Sequence, residues 1–141
     1  MKNTAEILRD HGLKVTPQRL AIYSMLKCTD SHPNAETIFK ALERDNPTMS
    51  LATVYKTLNS FKSTNLVKEI NSGDGCSHYD AIVEPHNHFI CKECNSIIDI
   101  FCNSIDTIEK SVSDDFDCDI DYTQLFIFGT CPKCKTKSKT N

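Results

Sequence analysis

Apolar residues recur at helical spacing through the first half of the chain and give way to short alternating or continuous apolar runs in the second. The pattern therefore predicts helices first and strands later. Over residues 4–11, Ala5 and Leu8 lie one turn apart and Ile7 widens the apolar side, with Thr4 placed to cap and Gly12 to terminate. A second helix starts at Thr16-Pro17, a hydroxyl N-cap followed by a residue that has no N–H to lose at the first helical position. Its apolar stripe is Ala21, Ile22, Met25 and Leu26, and His32-Pro33-Asn34 breaks it. Ala35, Ile38, Phe39 and Leu42 mark a third helix, closed by Asn46-Pro47. Ser50 caps a fourth, about 51–63, with Leu51, Val54, Tyr55, Leu58 and Phe61 as inward or contact positions. Its other faces carry Thr53, Lys56, Thr57, Asn59 and Lys62. Two β-like runs, 66–70 and 76–82, are joined by Asn71-Ser72-Gly73-Asp74-Gly75, the composition of a hairpin turn.

Three helices, a capped helix with polar faces and a hairpin are the order of a winged helix-turn-helix, with the fourth helix in the major groove and the hairpin as the wing. A small helical core with an incidental hairpin fits the same pattern. Candidate DNA contacts are Thr53, Tyr55, Lys56 and Asn59 on that helix, together with Lys14 and Arg19 around the start of the second. Glu84-Pro85 reads as a hinge. Beyond it, 88–91, 96–101 and 125–129 read as strands and 103–116 as a helix striped by Ile105, Ile108 and Val112. The tail 135–141 is rich in Lys, Ser and Thr and is expected to fray. The expected fold is α+β: a winged-helix domain over 1–83 and a small α/β dimerisation domain over 84–141.

Composition narrows the classes. The chain has 141 residues and a formal net charge of −3, far from the basic footprint of an obvious nucleic-acid binder. The charge is uneven: 1–80 carry ten Lys/Arg against nine Asp/Glu, and 81–141 six against ten. An N-terminal half that binds DNA thus stays open. No apolar run reaches the roughly 20 residues of a membrane helix, and Met-Lys-Asn-Thr-Ala-Glu lacks the apolar stretch of a signal peptide. The expected compartment is the cytoplasm, where eight cysteines point to metal or redox chemistry rather than to disulfides.

Cys91-x-x-Cys94 and Cys131-x-x-Cys134 are two knuckles separated by the 36 residues from Asn95 to Thr130. Four thiolates so paired predict a tetrahedral, structural zinc site. A redox dithiol pair or a rubredoxin-like iron carrier would use the same residues. His86 and His88 are spaced i, i+2, which on a strand puts both imidazoles on one face. Imidazole with carboxylate suits iron, manganese or zinc in an open site. Further candidate ligands are His32, Asp80 and Asp99, the last interrupting the apolar run Ile97-Ile98-Asp99-Ile100, where a buried acid needs a partner. A hydrogen-bonded surface strand is the bland reading of the histidine pair, and a non-haem metalloenzyme is another. His11 and His78 are expected to be solvated. Cys28, Cys76, Cys102 and Cys118 are expected to be mostly buried or half-buried thiols, with Cys76 kept as a further ligand candidate.

Over essentially its whole length the chain resembles the ferric uptake regulator family. The resemblance is carried by Leu13-Lys14-Val15-Thr16-Pro17-Gln18-Arg19, His32-Pro33-Asn34-Ala35, Ser50-Leu51-Ala52-Thr53-Val54-Tyr55-Lys56-Thr57-Leu58, His86-Asn87-His88-Phe89-Ile90-Cys91-Lys92-Glu93-Cys94 and Gly129-Thr130-Cys131-Pro132-Lys133-Cys134. It is strongest to the peroxide-responsive branch, whose three His and two Asp match His32, Asp80, His86, His88 and Asp99. Zinc-uptake members typically have Cys at the position of Asp80, and iron-uptake members favour Glu at that of Asp99. A His found in many members shortly before the last strand is missing from Asp121-Tyr122-Thr123-Gln124, which fits a single sensing metal. The resemblance implies a homodimeric repressor, not an enzyme, that binds a double-stranded DNA operator. It implies structural zinc and regulatory iron or manganese, with oxidation at His32 or His86. An iron-supply regulator without peroxide sensing is the alternative.

Overall fold

The computed structural model describes residues 1–84, 86–101 and 104–138, which fall into two compact units, 1–84 and 85–141. Among the described residues no helix is long and apolar enough to cross a membrane. Pro85 of the expected hinge, Cys102, Asn103 at the expected helix start and the last three residues of the tail lie outside them.

In the first unit α1 (Thr4–Asp10), α2 (Pro17–Lys27), α3 (Ala35–Leu42) and α4 (Leu51–Ser63) precede a hairpin of β1 (Lys68–Asn71) and β2 (Ser77–Asp80). The caps explain most boundaries. Thr16, Asn34 and Ser50 each accept a backbone N–H three residues on. The expectation that Thr4 caps α1 is wrong by one residue: Asn3 does so, in a reciprocal box with Glu6. α3 stops before Asn46-Pro47, where the Asn46 side chain instead caps the Leu42 carbonyl at 2.9 Å. The core joins Leu8, Ile22, Tyr23, Leu26, Ile38, Val54, Leu58 and Phe61 from all four helices to Leu66, Val67 and Tyr79. Tyr23 and Phe61 meet edge to face, 5.9 Å between ring centroids. Thr57, expected on a polar face of α4, is buried.

The second unit is a three-stranded sheet, β4 (Ile97–Ile100), β3 (Asn87–Cys91) and β5 (Phe126–Gly129) in that order. β4 runs antiparallel to β3 and β5 parallel to it, the parallel return being made through α5 (Ile105–Phe116). α6 (Pro132–Ser138) follows, so much of the tail expected to fray is helical. Central β3 is buried along nearly its whole length. Apart from it the apolar core is thin. No residue of α5 is buried, and Ile98, Phe101, Ile108, Val112, Phe116, Ile120, Tyr122, Ile127 and Phe128 are exposed.

Candidate metal centres

Two strands place the cysteines. β3 ends at Cys91 and β5 at Gly129, and parallel pairing sets these two residues side by side. The chain then turns at each end. After Cys91 it passes through Cys94 and Asn95, whose φ of +60° and hydrogen bond to the Cys91 carbonyl close the knuckle. After Gly129 it enters α6 at Pro132, placing Cys134 in the first turn. One sulfur from each of the four cysteines lies within 4.8 Å of every other. The 3.8 Å between the Cys94 and Cys131 sulfurs equals the edge of a tetrahedron with metal–sulfur bonds of about 2.3 Å, roughly 3.8 Å. The donor set therefore fits zinc.

Its electrostatics agree. Backbone N–H groups, first that of Cys131, which reaches the Cys91 sulfur at 3.3 Å, pull the Cys91 thiol down to about 6. Cys94 is lowered too, first through the Ser96 hydroxyl at 3.1 Å. Cys134 is pushed up to about 12, first by its hydrogen bond to Cys131 and then by burial. The cluster thus favours some thiolates but resists four negative charges with no cation between them. A bound dication removes that resistance.

Each unit carries its own histidine and aspartate donors. In the first, His32 is buried just before α3 and Asp80 is buried at the end of β2, with Nε2 of His32 3.3 Å from Oδ2 of Asp80. In the second, His88 and Asp99 face each other across the β3–β4 ladder, which puts their side chains on the same face. His86, two residues earlier, shares it. Nε2 of His86 lies 3.1 Å and Nε2 of His88 3.4 Å from the same oxygen, Oδ1 of Asp99. Phe101 stacks on His86 and Phe126 on His88, with ring centroids 5.5 and 5.9 Å apart. Cis ligands around a cation at about 2.1 Å lie roughly 3 Å apart, so each set fits as part of a metal shell.

Several sequence expectations fail here. Cys28, Cys76 and Cys118 are exposed rather than buried, and Cys76 joins neither donor group. His78 is half-buried rather than solvated, with both ring nitrogens engaged: Nδ1 with the His32 carbonyl and Nε2 with Asp74, each at 2.8 Å. Its i, i+2 spacing to Asp80 was the available signal. His11 is half-buried as well, its Nδ1 donating to the Ile7 carbonyl at 2.8 Å. Of the DNA candidates, Lys14, Tyr55, Lys56 and Asn59 are exposed and Thr53 and Arg19 half-buried. Arg19 donates to the Lys14 carbonyl at 2.9 Å, and the Thr53 hydroxyl meets that of the Ser50 cap at 2.9 Å.

Residues 10–128 match the ferric uptake regulator family. The chain is 37% identical to a peroxide operon regulator of Bacillus subtilis over 137 residues, 97% of this chain and 94% of that one. Among solved structures it is similar to the ferric uptake regulator of Francisella tularensis with iron, at a TM-score of 0.79 and 27% identity, covering 96% of this chain and 98% of the other. It is also similar to a peroxide-sensing regulator, PerR, of Streptococcus pyogenes, at a TM-score of 0.53 and 30% identity, covering 94% and 90%. With the match running from the last residue of α1 into β5 and the relatives aligned nearly end to end, the chain belongs to the ferric uptake regulator family.

Proposed function

We propose that the protein is a metal-dependent repressor that binds a DNA operator as a homodimer and releases it when peroxide oxidises a histidine ligand. The observation that carries this reading is the pairing of imidazole nitrogens with carboxylates in each unit, His32 with Asp80 and His86 and His88 with Asp99. Imidazole and carboxylate donors without thiolate suit iron and manganese. The peroxide-responsive relatives support the same assignment.

In this reading one regulatory cation takes all five side chains, and zinc takes the four cysteines. Ferrous iron held there would supply one electron to peroxide, leaving ferric iron and splitting the O–O bond into hydroxide and a hydroxyl radical. The ring of His32 or His86 would add that radical and lose one electron, returned to the ferric ion, and one proton, taken by the hydroxide, so that the imidazole would be left one oxygen richer and a poorer donor. With a ligand lost, the population moves away from the DNA-binding form. α4 reads the major groove with Thr53, Tyr55, Lys56 and Asn59, while Lys14 and Arg19 face the backbone phosphates. The compartment of action is the cytoplasm.

A second copy of the chain is the proposed cover for the apolar side chains of α5 and the outer strands, a larger exposed set than isolated surface residues explain. Sedimentation should give the mass of two chains, and a single-chain mass would remove this part of the proposal. The regulatory reading is tested by operator affinity with and without added manganese or ferrous iron. Metal should tighten binding, and peroxide should weaken it only for the iron form. If removing iron weakens binding but peroxide does not, the protein is an iron-supply regulator instead.

A further inference from the structure

We propose that His78, a wing residue, is a positioning residue that aims His32 at the regulatory metal. The inference rests on the assignment of His32 as a ligand and concerns only the first unit. His32 has φ +52°, a left-handed conformation uncommon for residues with a side chain. Pro33 restricts it further, toward extended backbone. Such a conformation persists only where the surroundings hold it.

β2 holds it. His78 Nδ1 donates to the His32 carbonyl at 2.8 Å, Asn34 and His78 form an antiparallel bridge, and the Tyr79 N–H donates to the Pro33 carbonyl at 3.1 Å. The His32-Pro33-Asn34 turn is thus laid along the wing strand. His78 is itself fixed from its other side, with Nε2 2.8 Å from the Asp74 carboxylate in the wing turn. Asp74 also accepts the Cys76 N–H at 3.0 Å. His78 and Asp80 share a face of β2 by the two-residue period, and Asp80 meets the His32 imidazole at 3.3 Å. One strand therefore grips His32 twice, at its carbonyl through His78 and at its ring through Asp80.

Two isosteres separate this role from mere stability of the wing. The amide nitrogen of Asn falls near the place of Nδ1, and that of Gln near Nε2. The zinc-loaded full chain is compared with its His78→Asn, His78→Gln and His32→Ala variants for manganese affinity by chelator competition, with zinc content and melting of the manganese-free forms recorded alongside. His78→Gln should weaken manganese binding about tenfold or more, and His78→Asn by no more than about threefold, with zinc content and melting unchanged. Parent-like affinity in His78→Gln while His32→Ala has lost the metal overturns the inference and leaves the ligand assignment standing. Equal weakening in the Asn and Gln variants, or weakening that follows lowered melting, also overturns it. Parent-like affinity in His32→Ala overturns the ligand assignment, and this inference with it.

Discussion

Asp99 shows how much one side chain decides. A single carboxylate oxygen serves both His86 and His88, so its position sets how the two imidazoles converge. Asp99→Glu lengthens the side chain by one methylene, about 1.5 Å. Manganese binding should survive this change, while peroxide oxidation of the iron form slows. Stopped-flow loss of operator binding measures it, and an unchanged rate would show that carboxylate placement does not matter. The His86/His88 pair was legible because strand periodicity is two, and Asp99 because an acid inside an apolar run demands a partner. The sequence points to a solvated His78, because its main partner lies 46 residues away. The exposed Cys28, Cys76 and Cys118 were misread because burial statistics for cysteine describe a residue type rather than a site.

Among the elements, α4 and the wing form one device. Lys62 of α4 pairs with Glu69 of β1, which also accepts the Ser77 hydroxyl of β2 at 2.5 Å. These contacts, Lys62 first, hold the Glu69 carboxyl below its ordinary 4.5. A carboxyl depressed in the folded state contributes stability above its unfolded value and loses it as pH falls through the folded value. Below pH 4.5 the parent should therefore lose melting temperature faster than Glu69→Gln, and parallel curves would mean that the clamp contributes nothing. On the same helix, Lys56→Ala should weaken operator binding and lower the salt slope by about one if it meets a phosphate. Tyr55→Phe should instead change sequence preference if the hydroxyl reads a base. Unaltered binding in both variants would move the interface elsewhere. The four helices and the hairpin were readable from stripes and caps. α6 was not, since its Lys- and Ser-rich sequence has no apolar stripe and its start is set by Cys131 and Cys134.

At the scale of the whole molecule, the proposed zinc site would make the second unit depend on metal more than on core. Among the described residues its buried apolar side chains are few, chiefly Ile90, Cys91, Ile97 and Cys131, and the structural zinc proposed here would supply roughly 10–16 kcal/mol that becomes folding energy. Cys94→Ser should lose zinc and lower the melting temperature by about 10 °C or more. A folded, zinc-free variant with parental melting would show that the site is not structural. Both donor sets were legible as residue types and spacings, whereas the shared face that brings His86, His88 and Asp99 together required the β3–β4 register. Sensing of peroxide by a histidine ligand is the proposed mechanism. Its most direct test is peptide mass spectrometry of the iron and manganese forms before and after peroxide, with operator affinity measured on the same samples. One added oxygen is expected on a peptide containing His32 or His86 in the iron form alone, with loss of operator binding in step. Loss of binding with oxidation confined to the cysteines would contradict it, as would an iron form that keeps both its mass and its affinity.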